Sequence, residues 1–189
     1  MDPIVIEGER VRLIPPADIG FARLTGEWVN DPLTRHLIGG PAYQMSLASR
    51  EDFVRDRLTQ SFNGIYLMIQ AIDTSEPVVV GAIELRKVSP EHRSAEVGIL
   101  VGDRGYWGQG YGTDAMRALC RFAFEEMDLH RIHLDVLEFN TRAIRAYERV
   151  GFVVEGRQRQ DAYLGGHYYD SLAMGLLREE FEAAERARA

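Results

Sequence analysis

The chain is 189 residues long, 46% hydrophobic and 27% charged, with 22 basic and 29 acidic residues and a net charge of −7. That length suits one domain, and that composition suffices to bury a core, which excludes disorder as the main state. The acidic balance argues against duplex nucleic acid as a partner; the single cysteine, Cys120, excludes an intrachain disulfide and a multi-cysteine zinc site. The N-terminus lacks the basic start and apolar run of a secretory signal. No stretch approaches the roughly 18 apolar residues of a membrane span. The expectation is a cytoplasmic protein with no membrane partner.

Residues 4–13 alternate in part and predict a first strand, broken by Pro15–Asp18. Asp18 is suited to cap a short helix over Ile19–Trp28. The "NDP" and "IGGPAY" segments read as loops at Asn30–Pro32 and Ile38–Tyr43, and residues 46–62 carry helical spacing in Leu47, Phe53, Val54, Leu58 and Phe62. Strands follow at Ile65–Ile72, Val78–Val88 and Ala95–Val101. The short turns between them require antiparallel neighbours. A glycine-rich loop then leads into a helix over Thr113–Met127, with Ala115, Met116, Leu119, Phe122, Ala123 and Met127 as its apolar stripe. Next come a strand at Arg131–Leu137, a helix at Asn140–Val150 stopped by Gly151, and strands at Phe152–Tyr163 and His167–Leu177. The polar tail from Arg178 reads as a frayed helix. The strand–helix–strand passage makes the strands of Val101 and Leu134 candidates for a parallel pair. The fold class is α/β (α+β): a mixed, mostly antiparallel sheet of about seven strands flanked by about four helices.

The chemistry begins at Arg104–Ala115, R-G-Y-W-G-Q-G-Y-G-T-D-A. Its glycines allow positive φ and close approach of a ligand to the backbone. The unpaired N–H groups of the following helix, with its dipole, suit a phosphate. A flexible turn is the plain alternative. A P-loop would need G-K-[ST] at the helix start, where the chain has Gly110-Tyr111-Gly112; a dinucleotide fingerprint fails at Thr113 and would not follow an antiparallel meander.

This loop resembles the Q/R-x-x-G-x-G/A motif of the GNAT N-acetyltransferase superfamily, with Trp107 in place of the usual Gln/Arg. The Y-W-G-x-G-Y form resembles the ribosomal-protein-alanine and spermidine N-acetyltransferase branch. Asn140–Phe152, N-T-R-A-I-R-A-Y-E-R-V-G-F, resembles the superfamily's N-x-x-A/S-x-x-x-Y-x-x-x-G-F segment. Arg93–Val101 and Gly165–Leu177 match more weakly. The resemblance implies a single N-acetyltransferase domain over residues 1–177, with 178–189 as the tail. It implies transfer of an acetyl group from acetyl-CoA to an amine, without a metal. Ile99, Leu100 and Val101 would offer backbone groups to the pantetheine arm. Amides across Trp107, Gly108, Gln109, Gly110, Tyr111, Gly112 and Thr113 would hold the pyrophosphate. The Asn140 side chain would also bond to the pantetheine arm.

Tyr147 sits at the position of the family's acid, where a neutral phenol can protonate the leaving sulfur. It also fits the apolar face of its helix as a core aromatic. Glu96, at the head of the strand entering the loop, is the first choice for a general base acting through water, and Glu84 the second. Burial would raise a carboxylate toward the working pH. Either also reads as an ordinary strand carboxylate, with the proton lost to solvent. Cys120 reads as packing rather than as a nucleophile. His130 and His133 flank a strand and do not pair as metal ligands. Trp28, Tyr43 and the Ile38–Tyr43 loop are candidates for the acceptor wall. His167, Tyr168, Tyr169 and Asp170 could line it or serve the sheet. The net charge suits a cationic acceptor: a basic peptide N-terminus, a polyamine or another small amine. A homodimer is compatible with the family. The competing readings are a non-catalytic acetyl-CoA-binding module and a phosphate-binding oxidoreductase.

Overall fold

The computed structural model describes residues 5–59 and 63–188, so the expected element ends at positions 4 and 62 lie outside the described residues. The first expected strand is two strands, β1 (Ile6–Glu7) and β2 (Val11–Ile14). The turn between them is folded around Asp114, whose buried carboxylate accepts the N–H groups of Glu9 (3.1 Å), Arg10 (2.8 Å) and Val11 (3.1 Å). Helix α1 (Phe21–Asn30) begins two residues later than expected; the Asp18 carboxylate instead receives the Gly20 N–H. Between the two expected loops, overlapping the first only at Pro32, α2 (Pro32–Leu37) forms: Asp31 caps it by accepting from Thr34 N (2.9 Å), and Pro32 occupies its first position. Asp followed by Pro is a helix start as well as a turn, and the helical geometry prevails here. Helix α3 (Leu47–Leu58) is capped by Ser46.

Strands β3 (Gly64–Ala71), β4 (Val78–Ser89) and β5 (Ser94–Val101) form the expected meander. Helix α4 (Tyr111–Glu125), β6 (Arg131–Leu137), α5 (Thr141–Val150), β7 (Val153–Leu164), β8 (His167–Leu177) and α6 (Arg178–Arg186) complete the chain. Among the described residues the sheet therefore has eight strands, in the order β1-β2-β3-β4-β5-β6-β8-β7, with six α-helices. The counts exceed the expected seven and four because Asp114 splits the first strand and because α2 and α6 are formed helices. The tail is not frayed: Phe181 is buried against Phe124, ring centroids 5.4 Å apart, and Glu185 pairs with Arg117 and Arg121 of α4.

Every strand pair is antiparallel except β5 with β6. One face of the sheet buries Leu85, Val97, Ile132, Met174 and Leu176 against the apolar stripe of α4 and residues of α5 and α6. The other face carries a smaller cluster of Phe21, Trp28, Tyr66, Met68 and Ala82 beneath α1 and α3. Among the described residues no helix is long and apolar enough to cross a membrane.

Candidate active site

The parallel pair β5/β6 holds for only three positions, Ser94↔Arg131, Ala95↔Ile132 and Glu96↔His133. Each strand then stays with its other neighbour: Val101 pairs with Gly81 on β4, and Leu137 with Ser171 on β8. The two strands therefore diverge, and β5 loses its β6 partners from Val97 onward. A ligand placed in this cleft can take those backbone groups as a strand would.

The glycine loop closes the wide end of the cleft. Gly110 is the N-cap of α4 at φ 96°, a left-handed conformation suited to glycine, and no side chain caps the helix. The first-turn N–H groups therefore lack a capping side chain, as an anion site requires. The loop is fixed from outside the cleft. Arg10 bonds to the Gln109 carbonyl and to Asp73, and Asp73 receives the Tyr111 hydroxyl at 2.8 Å. Trp107 donates its indole N–H to the Val101 carbonyl (2.7 Å), and the Arg142 guanidinium lies 3.5 Å from its ring centre. Trp107 thus ties the loop to the end of β5.

Ile99, Leu100 and Val101 line a slot of about 140 Å³ together with Trp107, Gly108, Gly110, Gly112 and Thr113. Gln109 and Tyr111 do not line it: the Gln109 side chain bonds to the Gly105 carbonyl, and the Tyr111 ring is buried in the core. Asn140 lines it, but its side chain already accepts from Ala143 N (3.3 Å) as the cap of α5 and donates to the Leu37 carbonyl (3.2 Å). These bonds position α5 against α2 and leave the amide a second N–H and a second lone pair.

A second cavity of about 1230 Å³ adjoins the slot, and Asn140 and Tyr147 border both. Tyr147 is half-buried at this junction, and among the described residues its hydroxyl has no hydrogen-bond partner. Burial pushes its phenol up to about 12, against a smaller opposing effect of Arg142. The hydroxyl is therefore protonated throughout the physiological range and free to donate.

The Ile38–Ala42 stretch lines the large cavity as expected, as do Asp161–Gly166 at the β7–β8 turn. Trp28 does not. Its indole packs where a Cβ on Gly102 would sit, inside the small core cluster. Tyr43 is 71% exposed and also lies off the cavity. Tyr169 packs edge-on against Phe139, which stacks on His36 of the cavity wall at 4.5 Å. Tyr168 packs on Tyr163, and Asp170 pairs with Arg157.

The two candidate bases fare differently from the sequence ranking. Glu84 lines the cavity and Glu96 does not. A bulge after Arg86, with Lys87 at φ 52°, lets Arg86 and Lys87 both reach Glu96. Burial alone would raise the Glu96 carboxyl, but the bonds from Arg86 and Lys87 outweigh it and hold it below the ordinary value. The expected upward shift is overturned by these two cations. Glu84 is bound by Arg57 (3.3 Å) and Arg86 (2.9 Å), one on each oxygen. Cys120 is fully buried and burial pushes its thiol up, which leaves it inert. No cluster of potential metal ligands occurs among the described residues.

A sequence profile described as an acetyltransferase (GNAT) domain matches residues 10–153. The chain belongs to the GNAT acetyltransferase family. A spermidine N(1)-acetyltransferase of Vibrio cholerae is 28% identical over 110 residues, 58% of this chain and 63% of that protein. The match therefore spans less than two thirds of that relative's length. The Bacillus subtilis ribosomal N-acetyltransferase homologue YdaF is 28% identical over 137 residues, 71% of this chain and 74% of its own. The crystal structure of the Vibrio cholerae enzyme in complex with CoA and spermine superposes with a TM-score of 0.81 at 22% identity, covering 92% of this chain and 98% of that one.

GNAT acetyltransferases draw the acyl group from acetyl-CoA, and the residues present fit that co-substrate. The cleft offers unpaired strand backbone, α4 offers an uncapped N-terminus, and Arg142 and Arg149 line the slot as cations for phosphate. These two arginines escaped the sequence reading, although their seven-residue spacing on α5 places them on one face. Asp114 escaped it too; its long-range bonds to the β1–β2 turn leave no local pattern.

Proposed function

We propose that this GNAT domain transfers the acetyl group of acetyl-CoA to a primary amine entering through the large cavity. The observation that carries the reading is Tyr147 at the junction of slot and cavity, protonated and without a competing hydrogen bond. The donor supplies an activated acyl group. Backbone groups of β5 hold its arm, and the first turn of α4 with Arg142 and Arg149 holds its phosphates. The amine nitrogen bonds to the acyl carbon as the carbon–sulfur bond breaks. Tyr147 delivers its proton to the departing sulfur. The acceptor's proton leaves to water through the open cavity, since both candidate carboxylates are held by cations. The names of the relatives, one referring to spermidine and one to the ribosome, support an amine acceptor without deciding its size.

The test is calorimetric titration with acetyl-CoA, with CoA and NAD+ as controls, followed by thiol release over a panel of primary amines. Saturable acetyl-CoA binding and release of thiol dependent on an amine are expected. Binding without turnover on any amine would mark a non-catalytic acetyl-CoA-binding module. No binding by the folded chain would remove the slot from the argument.

A further inference from the structure

The floor of the large cavity holds a cation that no ordinary packing requirement explains. Arg50, on α3, is only 5% exposed yet lines the cavity. Its guanidinium lies 4.2 Å from the Phe53 ring centre and beside the Tyr66 hydroxyl, and its buried Nε has no partner. Among the described residues no carboxylate forms an ion pair with it. Glu84, the carboxylate whose charge acts on Arg50, has one oxygen taken by Arg57 and the other by Arg86. Glu96 is likewise taken by Arg86 and Lys87. Asp56 also pairs with Arg57 at 3.2 Å, so among the described residues this corner sets four cations, Arg50, Arg57, Arg86 and Lys87, against three carboxylates. Burying an unpaired guanidinium is costly, and an anion from outside removes the cost.

Two carboxylates from other strands line the same cavity, Asp135 of β6 and Asp161 near the end of β7, the former accepting from Gln158 at 3.1 Å; Arg35 and His36 of α2 line it as well. Resting on the proposed acetyl transfer, we infer that the acceptor is a primary amine that also carries a carboxylate, and that Arg50 is the residue that selects it. The planar guanidinium receives the carboxylate edge-on, with Phe53 and Tyr66 fixing its plane. The amine then points toward the β6–β7 wall and Tyr147. A doubly charged phosphate fits less well, because Glu84 adjoins the site. A polyamine would bring further positive charge to a corner that already has an excess.

The experiment compares wild-type chain acting on γ-aminobutyrate and its methyl ester, on spermidine, and on peptides with an acidic or a neutral second residue. The acid is expected to exceed its ester in kcat/KM by about tenfold or more, the scale of one charge-assisted contact. Arg50→Met should reduce that ratio below about threefold by raising KM for the acid, with kcat and the KM for acetyl-CoA unmoved; Arg50→Lys should restore part of it. Preference for the free amino acid over the acidic peptide, or the reverse, identifies the source of the carboxylate. Because the acid–ester comparison uses unmodified protein, it stands even where a variant fails to fold. Equal rates for acid and ester, or preference for spermidine, would overturn the inference and leave Arg50 as a packing residue. If no amine is acetylated although acetyl-CoA binds, the transfer reading fails. Calorimetry of γ-aminobutyrate on CoA-loaded wild type and Arg50→Met then decides the role of Arg50: binding lost in the variant supports it, and equal or absent binding in both refutes it.

Discussion

The two sides of Tyr147 are built in opposite ways. The donor side comes mainly from one continuous run, β5 through α5, in which a strand, a glycine turn, a helix, a strand and a second helix follow in order, with only Thr34, Leu37 and Ile38 joining it from α2 and its end. The acceptor side is gathered from α2, α3, β3, β4 and the β7–β8 turn, elements separated by more than a hundred residues. A site made from consecutive elements leaves a pattern in the sequence, because each glycine and cap must stand at a fixed offset from the next. A site made by tertiary assembly leaves side chains whose roles depend on neighbours remote in the chain. The donor half is therefore the more constrained by backbone, and the acceptor half the more constrained by charge.

The strongest way to break the comparison is at the junction itself. Tyr147→Phe should keep acetyl-CoA affinity and lose roughly 10²–10⁴-fold in turnover, the range of a general acid. Calorimetry and steady-state kinetics check the two halves separately. Since the folded phenol is raised to about 12, Tyr147 should not itself cause an alkaline fall in kcat until the pH nears that value. A loss under about threefold would remove Tyr147 from the chemistry and leave it as the core aromatic that its helix face also permits.

The donor half alone is probed by Gly110→Val. At φ 96° a β-branched residue is strained by about 1–3 kcal/mol, and its Cβ would lie 3.6 Å from Arg10 Nη1, which holds the loop, so the turn that presents the helix start is disturbed. Acetyl-CoA affinity should fall by about tenfold or more in a chain whose circular dichroism is unchanged. Unchanged affinity would place the phosphates elsewhere than the start of α4.

Particular residues show how far the sequence could be read. Gly151 stops α5 at φ 116° as its position implies, and residues 131–137 and 167–177 are strands with the expected bounds, because each is governed by neighbours a few positions away. Asn140 was legible as a key position from the family motif, and its bonds to Ala143 and Leu37 add a cap and a tether to α2 that the motif did not show. Trp28 read as a wall because the early helices frame the acceptor side in the family it resembles, yet Gly102 admits its indole to the core. Arg50 was invisible, since among the chain's many arginines nothing local distinguishes the one that folding buries without a counterion.

The smallest expected effect sharpens the acceptor side. If Glu96 were the general base, Glu96→Gln would cost the 10²–10⁴ of general base catalysis. Held by Arg86 and Lys87 and set back from the cavity, it should instead cost less than about tenfold in kcat. Its effect should fall on stability, by about 1 kcal/mol, modest because both cations are substantially exposed. The pH dependence follows from the lowered carboxyl. The folded state holds Glu96 ionised more tightly than the unfolded chain does, so its stabilisation is fully present above the ordinary value of 4.5 and is lost as pH falls through the folded value. The melting temperatures of wild type and variant should therefore differ at neutral pH and converge in acid below about 4.5. A difference that does not shrink in acid would refute the ion-pair account. A hundredfold loss of kcat, with a rate profile rising through a single ionisation, would return Glu96 to the chemistry as a base reaching the cavity through water.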